Sequence, residues 1–282
     1  MSKIAIITDS TAYIPLDLLH KHHIYVVPQV LCWGEETFND GVDIKPDEFY
    51  ARLEKAKEMP STSQVTPQSF IKKFKELLDQ DFQVVAILLP PTLSGTVASA
   101  LQAREEFQGA PIEIVESNST SMAMGFQVLA AAKAAANGAE IKDIIAIVEK
   151  ARQQTGVVFA VSTLEFLHRG GRIGGASRYM GTALNIKPIL EIVDGKIQAI
   201  ERVRTRKKSL LRLVELVEER VGNQKPVRLA VLHARAAEDA RELLNIAKKR
   251  MDAEEAIFSE VSPVIGTHAG PGTVGLAFMA GM

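Results

Sequence analysis

Short apolar runs alternate with longer amphipathic stretches through the first half of this chain. Lys3 to Thr8, Ile24 to Leu31, Val84 to Leu89 and Ile112 to Val115 read as strands, the first ending in the polar turn Thr8-Asp9-Ser10-Thr11. Helical patterns lie between them. One starts at Pro15 and runs to about His22, and a second runs from Pro46 to about Glu58. A third follows Ser61-Thr62-Ser63-Gln64-Val65, with Thr66 as cap and Pro67 as first residue, and ends near Asp79. A fourth starts near Thr96. Cys32 to Ile44 has turn signals at Gly34 and Asn39-Asp40-Gly41 and reads as irregular. Thr120 to Ala136 is apolar on every side, which predicts a buried helix and the wall of a cavity; Ile141 to Gln154 is a further helix. Strand–helix alternation of this kind predicts a mainly parallel sheet, with ligands at the carboxyl ends of its strands.

The pattern changes after residue 155. Val157 to Val161 is a strand and Thr163 to Arg169 a short helix, followed by the glycine-dense loop Gly170-Gly171-Arg172-Ile173-Gly174-Gly175. Pro188 to Ile200 reads as a hairpin around Asp194-Gly195. Then come a helix from Thr205 to Val221, a strand from Val227 to His233, a helix from Ala236 to Met251 and a strand from Ala256 to Val261. A glycine- and proline-rich loop, Gly266 to Gly272, leads into a last apolar run, Val274 to Met279. The expected class is α/β, in two domains. Residues 1–155 form a mainly parallel α/β domain and 156–282 an α+β domain with antiparallel pairing, with the ligand between them.

Composition narrows the function classes. The 282 residues are 46% hydrophobic and 24% charged, with 33 basic and 34 acidic side chains, so no global charge asks for nucleic acid or an anionic membrane. Cys32 is the only cysteine, which excludes an intrachain disulfide and a thiolate zinc site. With no apolar leader and no run of bilayer length, the expectation is a cytoplasmic protein with room only for transient membrane contact.

The candidate chemistry centres on Pro90-Pro91-Thr92-Leu93-Ser94-Gly95-Thr96. A strand, a hydroxyl-rich turn and a helix N-terminus in succession make an anion site, although Ser94 or Thr96 as a plain helix cap explains the same residues. Gly270-Pro271-Gly272-Thr273-Val274-Gly275 has the spelling of a dinucleotide fingerprint, but the helix and distant acidic residue it needs have no room before Met282. No P-loop occurs. His20, His22 and His23 have the spacing of a solvated helix end rather than a metal pair, and His168 and His233 lack an obvious partner. His268 stands apart, in a loop where close approach and backbone strain are expected. A serine hydrolase with Ser94 as nucleophile, His268 as base and Asp9 as orienter is the catalytic alternative, though Leu93-Ser94-Gly95 lacks the leading glycine of a nucleophile elbow. Arg169, Arg172, Arg178, Arg202, Arg204, Arg206, Lys207 and Lys208 make the second half locally basic, either a solvated face or a docking face.

Ile7-Thr8-Asp9-Ser10-Thr11-Ala12, Ser61-Thr62-Ser63-Gln64, Leu93-Ser94-Gly95-Thr96 and Gly266-Thr267-His268-Ala269-Gly270-Pro271-Gly272, in this order, resemble the DegV family. Gly170 to Gly174 and Lys187-Pro188-Ile189-Leu190 fit as well, so the resemblance spans nearly the whole chain. It implies a long-chain fatty acid held in a tunnel between the two domains. In the FakB type, it implies presentation of that acid to a separate ATP-dependent fatty acid kinase subunit, which makes the acyl phosphate. By the same resemblance Thr62, Ser94 and His268 would hold the carboxylate, with Thr96 and Thr267 as second choices, and Arg172 and Arg202 would face the kinase or phosphate. No cofactor, metal or catalytic residue of its own is implied. Pro90-Pro91-Thr92 departs from the small residues expected there, which predicts an altered pocket shape.

Overall fold

The computed structural model describes residues 3–181 and 186–282. Four strands, β1 (Lys3–Asp9), β2 (Ile24–Val27), β6 (Phe82–Leu88) and β7 (Ile112–Glu116), form a parallel sheet in the order β2–β1–β6–β7. The unbroken apolar run of β6 has a simple cause: both faces of the strand are covered. Val84, Ala86 and Leu88 pack under α3 (Pro67–Leu78), which contributes Phe70, Phe74 and Leu77, and beside α4 (Thr96–Glu105). Val85 and Ile87 face the opposite way, into the core around α5 (Ser121–Ala136). Each such fully buried aromatic or aliphatic side chain stabilises the fold by about 1.5–3 kcal/mol.

The six-stranded sheet has the order β10–β9–β8–β13–β11–β12. It is built from β8 (Thr155–Ala160), β9 (Lys187–Val193), β10 (Lys196–Val203), β11 (Val227–His233), β12 (Glu255–Glu260) and β13 (Val274–Ala280). Only β11 and β12 run parallel; the other neighbours are antiparallel. Helices α8 (Arg206–Val221) and α9 (Ala237–Met251) cover one face through Leu213, Val217 and Leu243. The other face meets α5, which touches β1 and β6 as well as β8, β11 and β13. Apolar residues surround α5 because it is sandwiched between two sheets. Helix α6 (Ile141–Gln154) lies against it, and α1 (Leu16–Lys21) follows the first strand. The class is therefore α/β, a parallel sheet with separate antiparallel pairing, as the alternation predicts.

Four local expectations are corrected. The run Ile24 to Leu31 is not one strand: Pro28 lacks an N–H for the ladder, so the chain leaves the parallel sheet after Val27 and re-forms as β3 (Val30–Trp33). Cys32 to Ile44 is not wholly irregular, because β4 (Glu36–Asn39) pairs with β3, and β3 pairs on its other edge with β5 (Ser61–Ser63). Helix α2 (Pro46–Leu53) stops well short of Glu58. Finally, Gly266 to Ala269 is helix rather than loop, the end of α10 (Pro263–Ala269), which follows α7 (Glu165–Arg169) in chain order.

Candidate functional site

A chamber of about 920 Å³, its open mouth included, lies where the carboxyl ends of β1 and β6 approach the six-stranded sheet. Strand periodicity builds its apolar side: Val157 and Phe159 alternate onto one face of β8, joined by Ile192, Ile197 and Leu232 from β9, β10 and β11. Val264 and Ile265 of α10 close it from another direction. Thr62, Ser94, Arg172 and His268 line one part of it together, Thr62 beside His268 and Arg172 against Leu93. A second cleft of about 510 Å³ adjoins it. It shares Thr62, Arg172 and His268 with the chamber and adds Ser61, Arg169 and Thr267.

This polar part is a set of paired hydroxyls. Thr62 sits on β5, and its Oγ1 lies 2.8 Å from His268 Nε2 across more than two hundred residues of sequence. Ser94 Oγ lies 2.9 Å from Thr96 Oγ1. Thr96 in turn receives the Gln29 side-chain amide at 2.9 Å. Helix α4 begins with Gly95 at its N-cap and no side-chain cap, so the capping explanation of Ser94 and Thr96 does not hold. Arg172 is tied down at two points: its Nε donates to Leu93 O at 3.0 Å and its Nη1 to Gly170 O at 2.7 Å.

Burial, and secondarily the Arg172 guanidinium, push the His268 imidazole down to about 4, so it is neutral at pH 7. Its Nδ1 is buried without a partner. A Cβ added to Gly170 would stand 2.0 Å from that nitrogen, so the loop backbone holds the ring against Thr62. Helix α10, which carries His268, is anchored at its start by Asp40. That buried carboxylate accepts from Ser10 Oγ and Ser262 Oγ, both at 2.6 Å, and from Val264 N at 3.1 Å. Burial raises Asp40 to about 6 despite these donors.

Thr62, Ser94, His268 and Arg172 thus share one chamber. Thr96 is buried beneath Ser94, and Thr267 Oγ1 donates back to Pro263 O at 2.9 Å inside α10, facing the second cleft rather than the chamber. Arg202 lies apart, exposed on β10, with its guanidinium 4.9 Å from the Tyr179 ring centroid. Helix α5 is not the apolar wall; only Thr120 and Ser121 at its start reach the chamber, because its large side chains are used up in the core. Pro90 to Thr92 also stay out of the lining. Thr92 Oγ1 donates to Gly195 O, and Gly195 N to Asn118 O at 3.0 Å, so this turn holds the tip of the β9–β10 hairpin. Sequence reasoning missed Gln29 and Asp40. Gln64, within the quoted hydroxyl segment, also lines the chamber and bonds Ser99 Oγ at 2.8 Å.

The hydrolase alternative fails on its hydrogen bonds. Ser94 Oγ is paired with Thr96 and His268 Nε2 with Thr62, while Nδ1, where an orienting carboxylate would sit, has no partner. Asp9 instead accepts from Thr11 N and Oγ1 at 2.9 and 2.6 Å and from Leu89 N at 2.9 Å. Among the described residues no group of three His, Cys, Asp or Glu could hold a metal ion, and no helix is long and apolar enough to cross a membrane.

These features define an α/β protein with an apolar chamber in which hydroxyls and a neutral imidazole gather in one part. The sequence family described as "Uncharacterised protein, DegV family" matches residues 3–281, and the chain belongs to the DegV family. A DegV domain-containing protein of Halalkalibacterium halodurans is 35% identical over 99% of both chains. A DegV family protein from Thermus thermophilus, described for its fatty-acid binding, superposes with a TM-score of 0.93 at 32% identity, covering 99% of each chain. DegV of Bacillus subtilis, described as a fatty acid binding protein, gives 0.90 at 33% identity, covering 99% of this chain and all of that one.

Proposed function

We propose that this chain binds a long-chain fatty acid in the chamber and, as a FakB-type protein of the cytoplasm, presents its carboxylate to a separate ATP-dependent kinase subunit. The observation that carries the binding is the chamber's polarity: apolar strand faces, and Thr62, Ser94 and His268 together in one part. A carboxylate bears one charge, and two hydroxyl donors, an imidazole N–H and the nearby Arg172 satisfy it without a clamp of arginines. Each chain CH₂ buried contributes about 0.8 kcal/mol, so the acyl chain rather than the head group dominates affinity. The second cleft, with Arg169 and Arg172, supports transfer of a phosphoryl group at the same place, and Arg202 belongs to the kinase-facing surface. The division near residue 155 into two domains, with the ligand between them, is part of this reading; the two larger sheets fall on either side of that point.

Native mass spectrometry of the protein mixed with fatty acids tests the binding. A mass increment matching the acid is expected, and a chain that stays empty with lipid in excess would refute it. Ser94→Ala is expected to weaken binding about ten- to a hundredfold, the loss of one hydrogen bond to a charged group, while the melting temperature stays near that of the parent. An unchanged dissociation constant removes Ser94 from the head-group site.

A further inference from the structure

Among the described residues that line the chamber, two carry a buried side-chain atom with no hydrogen-bond partner. One is His268, already placed in the head-group set. The other is Ser121, 5% exposed, whose Oγ meets no donor or acceptor of the chain. Several other polar side chains of the lining are spent on the protein: Thr11 on Asp9, Gln29 on Thr96, Gln64 on Ser99 and Thr273 on Ala269 O. Ser121 is the first residue of α5, and it stands in a left-handed conformation, φ 58°, that disfavours a residue with a Cβ. The helix has no side-chain cap, and its first-turn N–H groups lack intrahelical partners. Thr120, one residue earlier, lines the chamber too; its Oγ1 donates to Thr11 O at 3.2 Å and keeps its lone pairs. Neither residue lines the second cleft, and neither side chain bonds to Thr62, Ser94, Arg172 or His268. The start of α5 is therefore a separate polar spot on the chamber wall.

We infer that Ser121 and Thr120 form a second polar subsite, one that selects an acyl chain carrying a hydroxyl group. The inference rests on the fatty-acid reading above and names which fatty acids the chamber prefers. A hydroxyl is at once a donor and an acceptor. Ser121 Oγ–H supplies a free donor and Thr120 Oγ1 free lone pairs, so a chain hydroxyl finds both kinds of partner here. The positive end of the α5 dipole favours the same oxygen. An unsubstituted chain buries Ser121 Oγ against hydrocarbon instead, which is unfavourable for a polar group. A hydroxyl carried elsewhere on the chain meets Val157, Phe159, Ile192 or Leu232 and loses its bonds to water without replacement. The subsite thus reads the position of the hydroxyl as well as its presence.

The test measures dissociation constants for stearic acid and for a series of monohydroxystearic acids in which the hydroxyl is moved carbon by carbon along the chain. The parent protein is expected to bind stearic acid, and to bind at least one isomer about two- to tenfold more tightly, the gain of one hydrogen bond between neutral groups. Isomers substituted elsewhere are expected to bind more weakly than stearic acid. Ser121→Gly removes the hydroxyl and suits the left-handed backbone. In this variant the best isomer is expected to fall to the level of stearic acid or below; if it does not fold, Ser121→Ala carries the same comparison. A parent protein that binds every isomer no more tightly than stearic acid overturns the subsite and leaves fatty-acid binding in place, and so does a preference that survives loss of the Ser121 hydroxyl. Failure of the parent protein to bind stearic acid or any isomer overturns the fatty-acid reading itself.

Discussion

Gly170→Ala is the sharpest probe of the head-group end, because the backbone there would accept alanine. Gly170 has φ −75° and ψ −4°, an ordinary helical conformation, so no strain arises from the backbone. The added methyl carbon would instead stand 2.0 Å from His268 Nδ1, 2.7 Å from Cε1 and 3.2 Å from Cγ. Carbon–nitrogen contact requires well over 3 Å, so the ring must move by more than an ångström, and the 2.8 Å contact with Thr62 is lost. Overpacking costs about 1–3 kcal/mol and the lost hydrogen bond about 1 kcal/mol. The stiffer unfolded chain returns about 0.4–1 kcal/mol. The net loss is about 1–3.5 kcal/mol, readable as a lower urea midpoint. If His268 holds the carboxylate as proposed, fatty-acid binding should also weaken about tenfold. A double-mutant cycle assigns the cause: in a His268→Ala background, Gly170→Ala should cost almost nothing in stability or affinity. Equal costs in both backgrounds, or parent-like binding by the single variant, would refute the argument that Gly170 positions the imidazole.

Two buried groups oppose each other in their dependence on pH. His268, depressed from 6.5 to about 4, contributes stability that is present above pH 6.5 and lost as pH falls toward 4. Asp40, raised from 3.8 to about 6, contributes stability that is present below 3.8 and lost as pH rises through 6. In His268→Gln only the Asp40 trend remains, so the gap between parent and variant should widen by roughly 2 kcal/mol between pH 4.5 and 7; urea midpoints that shift in parallel would contradict this. Gly195→Ala puts a side chain at φ +73° and a Cβ 2.8 Å from Pro90 Cβ, so a loss of about 1–3 kcal/mol is expected by thermal melting, and an unchanged melting temperature would count against the hairpin-tip contact. On the proposed kinase reading, Arg202→Ala is expected to slow acyl-phosphate formation with a fatty acid kinase subunit and leave fatty-acid affinity unchanged; equal loss of both would make this arginine part of the pocket.

Most of the fold was legible because its signals are local. The apolar run of β6, the Thr66-Pro67 start of α3 and the Asp194-Gly195 hairpin each carry their own explanation in a few neighbouring residues. Long-range demands were not legible. The small sheet of β3, β4 and β5 depends on strands too short to show a period, and Pro28 had to be read as a change of sheet rather than a flaw in one strand. At the site, the hydroxyls and His268 stand in recognisable segments, but the chamber's apolar face does not. Val157, Ile192 and Leu232 look like any core residue, and only the alternation of three strands shows that one face of each is left unfilled. The same blindness made α5 look like the wall: a helix greasy on all sides has no spare face.

The chamber draws its lining from Thr11 to Gly275, and neither sheet encloses it alone. An acid lodged there touches the native chain and has no equivalent partner in the unfolded one. On the proposed fatty-acid reading, heat resistance is a measure of cargo as much as of sequence, with about 2.7 kcal/mol gained when free ligand stands a hundredfold above its dissociation constant. A half-loaded preparation is a mixture of two materials that melt at different temperatures, and a delipidation step before calorimetry changes the substance being measured.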